Sequence, residues 1–187
     1  MEYKRTITKQ QLIDIIKVVD SHLQKNAPLI AIGGSALTLL GLKRSSDDVD
    51  FIIDDPDKVL KAEVTVGIYA QGYEGQIQDP GVIVTTILPK DYIQKSLEDK
   101  EISKQLTKIK LRILSPLDVI LTKLARFDEK DIVDITAILK TFRYTWKIMK
   151  TRYSQYLKLR KGREHDEYIT NFERLKLLYE HEIGPTS

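Results

Sequence analysis

The sequence predicts an α+β (mixed α/β) protein: a mixed sheet flanked by helices in residues 1–115, followed by a helical part over 116–187 that packs on it. Three observations predict this. Short β-branched apolar runs bounded by Gly, Pro or Asp lie in the first 115 residues. After them, apolar residues recur at helical spacing. Between the two stands Ser115-Pro116-Leu117-Asp118, a helix-start signal with proline at the first helical position.

Taken in order, Thr8-Lys9-Gln10-Gln11 fits a capping box, and Leu12, Ile15, Ile16, Val19 and Leu23 give a first helix over about 9–25. Pro28 opens Leu29-Ile30-Ala31-Ile32, a buried strand stopped by Gly33-Gly34. Ser35 is positioned to cap a short helix over 36–40, closed by Gly41. Val49 to Ile53, bounded by acids, reads as a strand, as do Val64 to Ala70, Val82 to Leu88 and Lys108 to Leu114. Residues 91–106 read equally as helix or loop. Behind Pro116, Leu117, Ile120, Leu121 and Leu124 form one helical stripe. Asp128 caps a helix carrying Ile132, Ile135, Leu139 and Phe142, and two further helices follow with seams through Trp146–Leu157 and Ile169–Tyr179.

Composition narrows the chemistry. With no cysteine there are no disulfides, zinc-thiolate sites or cysteine nucleophiles, and a cytoplasmic setting is expected. His22, His165 and His181 fall in no metal-ligand spacing. The start, Met1 to Arg5, is charged and lacks the apolar run of a signal peptide. The longest uncharged stretch, Ala27 to Leu42, is shorter than the ~20 apolar residues of a membrane span, so no membrane partner is expected. The net charge of +3 is unevenly spread. Arg143, Lys147, Lys150, Arg152, Lys158, Arg160, Lys161 and Arg163 stand together with no acid among them. Setting those eight apart leaves 22 basic against 27 acidic residues, an acidic body with a basic arm.

The chemistry-bearing stretch is Ile32-Gly33-Gly34-Ser35, followed by Arg44-Ser45-Ser46-Asp47-Asp48-Val49-Asp50-Phe51. Strand alternation puts Asp48 and Asp50 on one face, where two carboxylates repel unless a cation sits between them. Oxygen ligands of this kind suit magnesium or manganese (Mg2+ or Mn2+). A Gly-Gly turn lets backbone approach a phosphate, and a helix starting there aims N–H groups at the anion. A phosphate cradle beside a carboxylate metal site is what triphosphate chemistry requires. Each part alone has an ordinary explanation, as helix punctuation or a solvated strand end; the combination is more specific.

Gly33-Gly34-Ser35, then twelve residues, then Asp48-Val49-Asp50-Phe51 resembles the signature of the DNA polymerase β-like nucleotidyltransferase superfamily. Arg44-x-Ser46-x-Asp48-x-Asp50 is similar to the AbiEii-like, toxin–antitoxin-associated branch, as is a downstream helix with Lys123 before Asp131-Ile132-Val133-Asp134. The resemblance implies a nucleotidyltransferase-like mixed sheet and an enzyme that moves a nucleotidyl group from a nucleoside triphosphate to a hydroxyl on RNA or protein. It implies catalytic roles for Asp48, Asp50, Lys123 and Asp131 (or Asp134), metal binding by Asp48 and Asp50, and nucleotide contacts from Gly33, Gly34, Ser35, Arg44 and Ser46. Plainer readings stay open: Lys123 as a snorkelling lysine, Asp131 as a capping acid, Arg44 as a surface partner of Asp47. Many members of the superfamily add a third carboxylate on a later strand. The segment taken to match it, Gly81 to Ile87, offers only threonines, with Asp79 before it. A nucleotide-binding or antitoxin-like module acting through a cognate toxin or antitoxin protein is therefore the alternative, with a small-molecule adenylyltransferase behind it. The 143–163 segment could grip RNA through phosphates and through Tyr144, Trp146, Tyr153 and Tyr156, although those aromatics also sit at core-packing spacing. Arg160 and His165 match the Arg-x4-His pattern of HEPN ribonucleases, with Gly162 awkwardly between them.

Overall fold

In the computed structural model, which describes residues 6–83 and 86–185, the capping box at Thr8 starts the first helix. The Thr8 hydroxyl accepts the Gln11 N–H and the Gln11 side chain accepts the Thr8 N–H. The elements then run β1 (Ile7–Thr8), α1 (Lys9–His22), β2 (Ala27–Ala31), α2 (Gly33–Leu39), β3 (Ser45–Ser46), β4 (Val49–Ile53) and α3 (Lys58–Tyr69). They continue with β5 (Gly75–Gln78), β6 (Val82–Ile83), β7 (Thr86–Ile87), α4 (Tyr92–Lys95), α5 (Lys100–Ser103) and β8 (Ile109–Ile113). Four helices close the chain: α6 (Pro116–Lys123), α7 (Glu129–Phe142), α8 (Trp146–Leu157) and α9 (Arg163–Glu182). The architecture is mixed α+β, as the sequence predicts.

The main sheet has the order β5-β4-β2-β8. β2 is antiparallel to β4 and parallel to β8, while β4 and β5 are parallel. The central strands are buried apolar runs, Leu29-Ile30-Ala31 against Phe51-Ile52-Ile53, as expected for strands covered on both faces. The start of β8 is fixed by Asp20 of α1, which accepts the N–H groups of Thr107, Lys108 and Ile109 and the Thr107 hydroxyl. Burial would raise this carboxyl's pKa, but those hydrogen bonds hold it below the ordinary value.

Three sequence readings are corrected. Residues 64–70 are not a strand: they belong to α3, which Asp57 caps by accepting the Val59 and Leu60 N–H groups. The alternation of Val64, Val66 and Ile68 imitates a strand, but burial falls on Leu60, Val64 and Ile68, one helical turn apart, with Val66 exposed. The strand in that part of the chain is β5, whose Gly-Gln-Ile-Gln composition has little β character. Second, α2 begins at Gly33 with Ile32 at its cap, so Ser35 lies inside the helix. Third, residues 82–88 form no single strand but the paired β6 and β7, outside the main sheet; residues 84 and 85 of that stretch lie outside the described ones, as do 1–5 and 186–187. The undecided stretch 91–106 holds α4, α5 and a bridge from Leu97 to Ile113.

Within the helical part a buried ion pair ties α8 to α6. Asp118 of α6, fully buried, accepts a fork from Arg152 of α8 at 2.6 and 3.0 Å and the Tyr156 hydroxyl at 3.0 Å. Arg152 also reaches Asp91 at 2.6 Å. Between α8 and α9 the aromatics stack: Trp146 on Phe172 at 4.9 Å, and Tyr153 on Phe172 at 3.6 Å. Tyr153 and Tyr156 are thus core residues. No helix among the described residues is long and apolar enough to cross a membrane.

Candidate active site

Several elements meet at one cavity of about 520 Å³. The turn from β2 into α2 supplies Gly33 and Gly34, the β3–β4 region supplies Ser46, Asp47, Asp48 and Asp50, and α6 and α7 supply Lys123 and Asp131. Of the nine residues the sequence singles out, seven are brought to this cavity. Ser35 sits just behind its wall and Arg44 is exposed outside it.

Local chemistry fixes the acid strand against the turn. The Ile32 N–H donates to the Asp50 carbonyl at 3.1 Å, continuing the β2–β4 ladder into the turn. The buried Ser35 hydroxyl accepts the Asp50 N–H at 2.9 Å and donates to the Asp48 carbonyl at 3.2 Å. Ser46 donates to the same carbonyl at 2.8 Å. Two serines therefore hold the backbone on either side of Val49, whose side chain is buried while Asp48 and Asp50 line the cavity. The two glycines are required for different reasons. Gly33 needs its backbone freedom, with φ +52°, while a Cβ there would make only ordinary contact, 3.5 Å from Asp50 Oδ2. A Cβ on Gly34 would come within 2.6 Å of Ser46 Oγ.

The opposite wall is an ionic network. Lys123 Nζ lies 2.8 Å from Asp131 Oδ1 and 2.8 Å from Asp134 Oδ2. Arg126 donates to both oxygens of Asp131, each at 2.9 Å, and Lys43 approaches Asp134 at 3.4 Å. Burial would raise the Asp131 carboxyl's pKa, but Arg126 and Lys123 hold it below the ordinary range. Asp131 also donates its N–H to Asp128, the α7 cap, so it is both a capping-turn residue and an ion-pair partner. At the rim, Lys130 of α7 reaches Asp47 at 3.3 Å, so the partner of Asp47 is Lys130 rather than Arg44.

The donor set facing the cavity fits a hard cation. Asp48 and Asp50 offer carboxylate oxygens, and Gln76 and Gln78 of β5 line the same space. Among the described residues no group of three or more His, Cys, Asp or Glu could hold a metal, so this pair would supply the charge. The sequence missed Lys43, Arg126 and the two glutamines. Arg126, one turn beyond Lys123, could have been read from its spacing; β5 gave no such signal.

Comparison with known proteins decides the family. A family model described as "Nucleotidyltransferase of unknown function (DUF6036)" matches residues 10–183. The chain belongs to the DUF6036 family. No curated protein and no solved structure matches it. For this DUF6036 chain the family supports nucleotidyl transfer as the general chemistry, and its match spans both the sheet and the helices that form the cavity.

Proposed function

We propose that the chain is a metal-dependent nucleotidyltransferase of the AbiEii-like kind, moving a nucleoside monophosphate from a triphosphate to a hydroxyl on RNA or protein, with a place in a toxin–antitoxin pair. The observation that carries this reading is the convergence of the Gly33–Gly34 turn, the Asp48/Asp50 pair and Lys123 on one cavity. Asp48 and Asp50 would hold Mg2+ or Mn2+, which when bound aligns the α-phosphate for in-line attack. The Gly33–Gly34 backbone would lie against the phosphates. Lys123, with Arg126 beside it, would neutralise charge as the bond to the β-phosphate oxygen breaks and pyrophosphate leaves. Asp131 and Asp134 would hold the lysine in place. Ser35 and Ser46 would act by fixing the acid strand. For RNA as acceptor, the support is the exposed Lys147, Lys150, Lys158, Lys161 and Arg163, which offer phosphate contacts without base stacking.

One observation favours a second reading, a nucleotide-binding or antitoxin-like module acting through a protein partner: among the described residues no third carboxylate joins the acid pair in a group that could hold a metal, Asp47 at the rim being paired with Lys130. A label-transfer assay separates the two. Each α-labelled triphosphate is incubated with Mg2+, total cellular RNA and protein, using wild type, Asp48→Ala/Asp50→Ala and Lys123→Ala. The enzyme reading expects transfer by wild type and a loss of about a hundredfold or more in each variant. Transfer unaffected by these substitutions would sink the site assignment. Cation-dependent nucleotide binding without transfer would favour the module.

A further inference from the structure

The edge of the sheet beside the acid pair carries amides where acids would fit. β5 runs parallel to β4 with Gln76 opposite Asp50, so the two side chains leave the sheet on the same face, about 4.8 Å apart at the backbone. Gln76 and Gln78 line the cavity while Ile77 between them is buried. Gln78 Nε2 donates to Gln76 Oε1 at 3.1 Å. A glutamate at position 76 has the same shape and would accept the same hydrogen bond. Packing does not select the amide; what distinguishes it is charge.

That charge has a consequence for the cation. Affinity for a hard divalent ion rises with the number of charged ligands, and two carboxylates with a neutral amide oxygen form a weak resident site. A third acid beside Asp50 would tighten the site and, with no cation present, would add like-charge repulsion. Triphosphate oxygens supply negative charge of their own. The geometry points to Gln76 as the residue that sets when the cation arrives: the chain holds Mg2+ or Mn2+ weakly alone and takes it up together with the triphosphate. This inference rests on the Asp48/Asp50 cation site proposed above.

The test is a Mn2+ titration of the full chain, following free Mn2+ by electron paramagnetic resonance, without nucleotide and with non-hydrolysable ATP and GTP analogues. After subtraction of the Mn2+ that each analogue binds in the absence of protein, wild type is expected to bind Mn2+ at least about tenfold more tightly with one of the analogues than without. Without nucleotide, Gln76→Glu is expected to bind about tenfold more tightly than wild type, and Gln76→Glu/Asp50→Asn to lose that gain. The melting temperature of Gln76→Glu should fall below wild type in chelator and rise above it in Mn2+, a reversal that a purely structural role for Gln76 would not produce. Wild-type binding that is equally tight with and without analogue, or a Gln76→Glu affinity equal to wild type, overturns the inference. Mn2+ binding indifferent to Asp50→Asn sinks the cation site itself; binding lost in Asp50→Asn but untouched by Gln76→Glu sinks only the role of Gln76.

Discussion

Two buried aspartates in the helical part, Asp118 and Asp131, are both fully inaccessible and both forked by an arginine, yet their surroundings differ. Around Asp118 the network is enclosed: Arg152 is 4% exposed, Tyr156 and Ser115 complete the carboxylate's shell, and solvent meets the network at Asp91, on the far side of Arg152. Around Asp131 the cations reach outward: the Arg126 side chain is 60% exposed, and Lys123 lies on the cavity wall. The same pairing thus does two jobs. Enclosed, it fixes how α8 lies on α6. Open on one side, it presents positive charge that an arriving anion can share.

The contrast can be broken most severely at the enclosed network. Arg152→Ala would leave Asp118 buried without its cation, and the expected loss is about 3–5 kcal/mol in chemical denaturation. A loss below about 1 kcal/mol would mean that water reaches Asp118. At the open network, Lys123→Met should lower stability by only about 1–3 kcal/mol, because Arg126 still forks Asp131 and Lys43 still faces Asp134. Its larger effect should fall on label transfer, so the ratio of the two losses is the discriminating measurement.

A third comparison uses pH. The folded Asp131 carboxyl sits below its ordinary value of 3.8, so its contribution to stability is fully present above that pH. The contribution is lost as pH falls through the lower, folded value. Asp131→Asn should therefore flatten the decline in melting temperature below about pH 4, with Asp20, whose carboxyl is also held low, still contributing to what remains. An unchanged acid limb would show that Asp131 keeps no preference for ionisation in the fold. The smallest effect belongs to the rim: Lys130→Ala should cost less than about 1 kcal/mol, since the lysine side chain is 78% exposed.

Much of the site was legible in the sequence because its parts are local signals. A glycine turn after an apolar run, an acid-x-acid strand and a proline-started helix each announce themselves within a few residues. What was hidden depends on tertiary pairing. Gln76 carries no sequence signal because β5 is made a strand by its pairing with β4, not by its residues. α3 was misread because Val64, Thr65, Val66 and Ile68 carry β propensity, and only the packing of α1 against α3, with Val19 against Gly67, reveals which face is buried. The basic arm was overcounted for a related reason. Arg152 and Arg160 belong to the interior, Arg160 bonding Thr86 at 2.5 Å and lying 3.9 Å from the Tyr168 ring centroid.

The hydroxyl of Ser35 has a mechanical consequence. By bonding the backbone at both Asp48 and Asp50, it rivets the glycine turn to the acid strand, so a tilt of either is transmitted to the other. If the proposed triphosphate and cation bind here, the spacing between them would be set by the chain's own stiffness. Ser35 would then act as a joint, its play limiting how accurately the turn and the acid strand can be aimed at each other.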